Sequence, residues 1–323
     1  MTSEVSLLQM PDVALNEIVK KCDYQSIQSL RKVCRDLRNF IKDVKPDYQF
    51  TNVSIELDSC FLDLTFNESD DEGNEITIRY RKHGLNCYVS LTKPNGKNSK
   101  HLLNTNFIDC FSTDFAIAMS SQKSIIQQFT LSHPVDFYMK SRAGDLLKKL
   151  KSENLLLKVR NVVLSTNGTS MIARFLQILD PNYLETIKIG GRTNQMTSTE
   201  MNQICKLEQF KKAKELEIST YYITTSVEYF SHFENVTLCY ISVTDEMFRS
   251  LKQMFITSPN LSSFSIQFLS YCDRDLICCF GPRDKQLSTH DTDKWVLMIP
   301  GSDDVIVVEM KLSRVQFERK KNN

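Results

Sequence analysis

One spacing recurs along this chain and limits what it can fold into: an apolar residue, a second three positions on, and a third two beyond that. It occurs at Ile126/Phe129/Leu131, Val159/Val162/Leu164, Leu184/Ile187/Ile189, Ala213/Leu216/Ile218, Phe233/Val236/Leu238 and Leu261/Phe264/Ile266. Successive starts lie 33, 25, 29, 20 and 28 residues apart. Amphipathic helical segments fill the intervals, at 106–120, 143–155, 170–179, 198–210 and 245–256, with a weaker one at 226–232. Thr244 is placed to cap the last of these, and Pro259 marks the chain leaving it. A short strand followed by a helix, repeated at this period, predicts a curved stack of parallel strands.

Upstream the period changes to two. Val53, Ile55 and Leu57 alternate with polar residues, 61–66 follows, Ile76, Ile78 and Tyr80 alternate again, and 85–91 makes a fourth strand. An acidic turn at 68–75 and a turn at 93–97 punctuate this stretch, which reads as an antiparallel meander over 50–92. Ser69 in the acidic turn could accept a phosphate, although a solvated hairpin loop is the plainer reading. At the other end, two apolar runs at 295–299 and 305–310 flank the turn at Pro300 and Gly301, a hairpin over 295–311 that would close the last sheet edge. Lys311, Arg314, Arg319, Lys320 and Lys321 read as a solvated tail.

The first forty residues form a unit of their own. Leu15, Ile18, Val19 and Cys22 recur at helical steps after Pro11, which suits a first helical turn. Asp23 can cap a second helix carrying Ile27 and Leu30, and the stripe continues through Cys34, Leu37 and Ile41. Three helices of about ten residues bury little surface by themselves, so such a unit needs a partner. A short charged segment with Pro46 separates it from the strands. The predicted class is therefore α/β: a small N-terminal three-helix unit over 1–45, then one α/β domain over 46–323. That domain holds the antiparallel β-meander, an irregular leucine-rich-repeat-like stack of strand–helix units over 105–268, and the C-terminal hairpin. The irregular spacing, and the absence of a ladder asparagine after most strands, keep a doubly wound sheet as the alternative.

The order Met10-Pro11, Leu15, Ile18-Val19, Cys22-Asp23, Ile27, Leu30-Arg31, Val33-Cys34-Arg35, Leu37 and Phe40-Ile41 resembles the F-box. Met10 stands where leucine is usual in that family, and Leu37 where tryptophan is frequent. The resemblance implies docking on a Skp-type adaptor and, through it, on a cullin–RING ubiquitin ligase. The implied adaptor-binding residues are Leu7, Leu8, Met10, Pro11, Leu15, Ile18, Ile27, Leu30 and Val33. Physically, these would be apolar side chains of a small helical face entering a partner's groove. For each position the alternative is a place in the chain's own core.

From residue 50 to about 315 the architecture, with local phrases such as Val89-Ser90-Leu91-Thr92 and the strand–helix units after Ser124, resembles the FTH (FOG-2 homology) domain. That domain follows the F-box in the nematode F-box A family. The resemblance implies capture of a protein target by this second part. The chain would then be the substrate-recognition subunit of an SCF ligase, cytoplasmic or nuclear; a non-degradative interaction adaptor in translational or immune regulation is the alternative.

Composition agrees with a chain that performs no chemistry of its own. Lysine and arginine number 40 and aspartate and glutamate 39, a balance that argues against a nucleic-acid backbone as direct partner. Glycine is scarce, 9 of 323, where about 7% is usual, and phosphate-cradling loops depend on it. No Walker loop, dinucleotide fingerprint or nucleophile elbow occurs, and Gly190-Gly191 lacks the third glycine of a phosphate loop. The ten cysteines include no CxxC pair, and the adjacent thiols Cys278 and Cys279 read as buried and inert. No metal, cofactor or catalytic set is implied. No apolar run approaches the length of a membrane helix, and the first ten residues do not read as a signal peptide.

The target would meet the strand face that carries no helices. Side chains between the apolar positions belong there: Arg160, Val163, Glu185, Lys188, Glu215, Glu217, Asn235, Thr237, Ser263, Ser265 and Gln267. Their mixed charges suit recognition by complementary pairing. A solvated sheet face with no partner would show the same alternation.

Overall fold

The structure, a computed structural model, describes residues 7–68, 75–94, 96–133, 140–152, 155–166, 169–191, 194–271 and 279–322. The expected acidic turn with Ser69, the tip of the turn at Asn95, and Cys272 and Cys278 lie outside these residues. The chain divides into two compact units, Met1–Phe129 with Arg142–Val159, and Thr130–Ser141 with Arg160–Asn323.

The first unit begins with a single 3-10 turn, Leu7–Gln9, and three helices, α1 (Asp12–Lys20), α2 (Tyr24–Val33) and α3 (Arg35–Val44). Asp23 caps α2 by accepting the Ser26 N–H at 2.7 Å. The Cys34 sulfur accepts the Leu37 N–H at the start of α3. Leu15, Val19, Ile27, Leu37 and Ile41, the apolar stripe of the sequence, are all buried. An antiparallel meander follows: β1 (Asn52–Leu57), β2 (Phe61–Asn67), β3 (Ile76–His83), β4 (Asn86–Lys93) and β5 (Gly96–Leu102). Gly84, at φ +63°, makes the two-residue turn between β3 and β4 possible. Helix α4 (Phe107–Ser121) packs Phe111 against Tyr80 of the meander, and Tyr80 Oη donates to Asp114 at 2.8 Å. Strand β6 (Ile126–Ser132) starts beside β1, where Gln127 N donates to Thr51 O. Helix α5 (Lys140–Ser152) buries Leu146, Leu147 and Leu150, and its Lys149 pairs with Asp109 of α4.

Strand β5 was missed by the alternation rule. Its run Gly-Lys-Asn-Ser-Lys-His-Leu is exposed almost throughout and owes its form to backbone pairing with β4. The segment expected as a linker is also firmly placed: Pro46, Tyr48 and Phe50 are buried. Asp47 accepts the N–H groups of Lys123 and Ser124, and Gln122 brackets the Phe50 backbone from both sides.

The second unit is built on parallel strands β7 (Val159–Ser165), β8 (Thr186–Gly190), β10 (Glu215–Ile223), β11 (Asn235–Val243) and β12 (Ser263–Tyr271). The short β9 (Asn194–Met196) pairs with the end of β10. Sheet order follows chain order along this run, so it has no point where the order reverses, the mark of a doubly wound sheet. The connections carry α6 (Thr169–Leu176), α7 (Ser198–Cys205), α8 (Glu208–Lys212), a 3-10 turn at Val227–Phe230 and α9 (Asp245–Thr257). One expected helix, 198–210, is thus two short ones, and the weak helix at 226–232 is the 3-10 turn.

Three antiparallel strands complete the sheet: β13 (Asp293–Met298), β14 (Asp304–Lys311) and β15 (Arg314–Lys321), in the order β12-β15-β14-β13. The stretch read as a solvated tail is therefore a strand, inserted between β12 and β14. Arg319 is largely buried there, donating to the carbonyls of Phe255, Ser258 and Leu261 while pairing with Asp304. Register explains the core. Val162, Ile187, Leu216, Val236, Phe264, Phe317, Val308 and Trp295 stand opposite one another across eight strands, and all are buried. Helix α9 covers this face, with the Phe255 ring stacked 5.9 Å from that of Phe317.

Candidate functional site

Two surfaces stand out, one in each unit. In the first, the helices bury one face and leave a set of apolar side chains outside. Val13 on α1 is 76% exposed, Val33 at the end of α2 is 69% exposed, Met10 is 36% exposed, and Pro11 is exposed as well. Leu7, Ile18 and Leu30 are half-buried, whereas Leu15 and Ile27 are buried within the chain itself. The Leu8 side chain lies outside what the structure describes. Val13 was missed by the sequence reading, because it lies off the Leu15–Val19 stripe; its signal was an apolar residue on the polar side of a short helix.

The opposite face of these helices is fixed by aromatic packing. Tyr24, the first residue of α2, meets Tyr48, Phe50 and Phe66 at ring distances of 5.0, 5.3 and 5.6 Å. Its backbone N–H donates to the Glu68 carboxylate at 2.9 Å. Burial raises the Glu68 pKa, an effect that the Tyr24 N–H opposes and nearby Asp23 reinforces.

In the second unit the face away from the apolar ladder is polar. Val163, Lys188, Glu217, Thr237, Ser265, Gln316, Glu309 and Lys294 stand in register across its eight strands. Lys188 and Glu217 pair at 3.3 Å, and Lys294 and Glu309 at 3.1 Å. One step along, Glu215 accepts from Thr186 and from Asn235, each at 3.2 Å. Ser265 is buried and accepts from Arg314 at 3.0 Å, while Gln267 is exposed. Of the expected target-facing residues, Lys188, Glu215, Glu217, Ser265 and Gln267 thus share one face. Arg160 does not belong to that row. It stands one residue out of phase with Asn161 and Val163, at the start of β7, and pairs with Glu185, equally out of phase, at 3.7 Å.

Nothing described suggests a reacting centre. Burial pushes the Cys87 thiol up to about 12 and the Cys205 thiol up to about 11, so both stay protonated at neutral pH and are poor nucleophiles. Among the described residues no three His, Cys, Asp or Glu side chains gather as metal ligands, and no helix is long and apolar enough to cross a membrane.

Two family profiles match the chain. The F-box profile matches residues 7–49, and the FTH-domain profile matches residues 142–283. The chain carries an F-box followed by an FTH domain. The F-box match takes in α1 to α3 and the buried segment through Tyr48. The FTH match starts in α5, ends before β13, and so takes in every parallel strand from β7 to β12. The chain is similar to F-box A protein 224 of Caenorhabditis elegans, with 24% identity over 78% of this chain and 64% of that protein. No solved structure matches.

Proposed function

We propose that this F-box protein is the substrate-recognition subunit of an SCF-type ubiquitin ligase. Its F-box would hold a Skp-type adaptor, the adaptor would bring a cullin, and the FTH part would hold the target protein. The chain has no chemistry of its own in this account: it raises the effective concentration of a target lysine at the transfer site.

The observation that carries the proposal is the exposed apolar set Met10, Pro11, Val13 and Val33 on helices whose other face is already packed. Apolar side chains left exposed on a small helical unit suit cover by a partner's groove. Leu7, Leu8, Ile18 and Leu30 would border that contact. Leu15 and Ile27 support it from beneath, since they hold the helices in place. The target would meet the polar strand face at Lys188, Glu215, Glu217, Ser265 and Gln267, with Arg160 at its margin. Co-purification from cells with the proteasome inhibited tests the whole. A Skp-type adaptor and a cullin, together with a partner that accumulates under inhibition, support the proposal. Recovery of partners with neither adaptor nor cullin contradicts it.

A further inference from the structure

Strands β10 and β11 fall out of step near their carboxyl ends. Glu217 faces Thr237, yet Tyr222 faces Cys239, so β10 uses three more residues than β11 over the same length. Irregularities of this kind re-aim side chains and accompany binding sites. Just beyond it, the ends of both strands, the 3-10 turn at Val227–Phe230 and the first turns of α9 line a half-open cavity of about 590 Å³.

Its lining is chemically one-sided. Glu228 and Glu246 contribute carboxylates, and among the described residues no lysine, arginine or histidine lines it. Burial acts to raise the Glu228 pKa, but hydroxyl groups of Ser226 and Ser250 outweigh it and hold the carboxyl below its usual range, ionised at neutral pH. Thr225, 5% exposed, also lines the cavity; its Oγ1 is itself buried, with no hydrogen-bond partner among the described residues. Its backbone carbonyl is already engaged by Tyr240 Oη at 2.7 Å. Val227, Tyr240 and Met247 supply an apolar wall. An anion is disfavoured by the Glu228 and Glu246 carboxylates and by Asp245, which with Glu246 in the first turn of α9 offsets the positive end of that helix. A neutral occupant would forgo the charge complementarity that the two carboxylates offer.

We propose that this cavity receives one cationic side chain, lysine or arginine, from the polypeptide that the FTH part captures. The methylene stem lies along Val227, Tyr240 and Met247. The head group donates to the Glu228 carboxylate. This inference rests on the second unit being the target-binding part, and it narrows the target to a segment with an exposed basic residue.

The test uses the full chain and four probes followed by NMR titration: capped Gly-Arg-Gly, capped Gly-Lys-Gly, the citrulline counterpart of the first, and free spermidine. The arginine or lysine peptide should saturate, with shifts at residues lining the cavity, and the citrulline peptide should bind at least about tenfold more weakly, as loss of a charge-assisted hydrogen bond implies. Glu228→Gln should weaken the cationic peptide by about tenfold, with Glu208→Gln on α8 as an unaffected control. Glu228 is exposed, so its variant keeps the fold. Equal binding of the citrulline peptide, binding of spermidine alone, or indifference to Glu228→Gln would overturn the assignment. Adaptor capture is read on the same samples, so a failed cavity and a failed ligase role give separate results.

Discussion

The ring of Tyr24 stands edge-on to that of Tyr48, centroids 5.0 Å apart and planes at 86°. One belongs to the second helix of the F-box, and the other to the segment that leads into the meander. Phe50 and Phe66, themselves stacked at 4.3 Å, complete the contact. The F-box is therefore anchored on the strands that follow it. Tyr24→Ala should destabilise the first unit by about 2–3 kcal/mol, less than a fully buried aromatic because part of the side chain stays exposed. Tyr24→Phe keeps the ring contacts and should cost far less. Urea unfolding of the two variants checks both values.

The same contact carries a pH signature. Burial raises the folded-state pKa of Glu68 above its unfolded value, so the folded chain binds the proton more tightly. That contribution is fully present below the unfolded pKa and is lost as pH rises through the folded one. Glu68→Gln removes the titration. The melting temperature of the variant relative to wild type should therefore rise between acid and neutral pH; a difference that stays flat or falls would contradict the burial of this carboxyl.

Gly191 marks a close approach within the second unit. A Cβ there would sit 2.4 Å from the Thr166 carbonyl oxygen and 2.9 Å from Tyr221 Oη, while one on Gly190 would meet only side-chain oxygens at 3.8 Å or more. Gly191→Ala should cost about 1–3 kcal/mol, because the obstacle is backbone that cannot swing aside. Gly190→Ala should be far milder, and matched denaturation curves decide the comparison.

Much of this architecture was legible. Period-two alternation located β1 to β4, and the repeated strand spacing located β6, β7, β8, β10, β11 and β12, because both depend on which side chains each element buries. Strand β15 was not. Val315 and Phe317 alternate as a strand should, but the surrounding arginines and lysines resemble a tail until Asp304 and the carbonyls that Arg319 bonds are known. The candidate site was half legible: strand parity places Lys188 and Glu217 on one face, whereas Arg160, assigned there because it lies between Val159 and Val162, stands out of that row. Val13 escaped because a stripe rule finds buried faces, and an exposed apolar residue lies off the stripe.

The pair Lys188–Glu217 separates stability from recognition. It is half-exposed, so breaking it should cost less than about 1 kcal/mol. Lys188→Glu should weaken target capture, and exchanging the two charges in a double variant should restore stability without restoring capture. Reversal at Lys148, on α5, should leave capture unchanged. Equal losses from Lys148 and Lys188 would move the binding face elsewhere.

The central claim is that the F-box helices hold a Skp-type adaptor through the apolar side chains they leave exposed. The direct measurement is the affinity of the purified chain for a purified Skp-type adaptor, with Met10→Glu/Val33→Glu beside wild type. These residues are exposed, so the double variant should keep its helical circular dichroism and unfolding midpoint. Losing two apolar anchors and burying two charges should weaken binding by well over tenfold. Wild-type chain that fails to bind the adaptor, or a folded double variant that binds as tightly as wild type, would contradict the account.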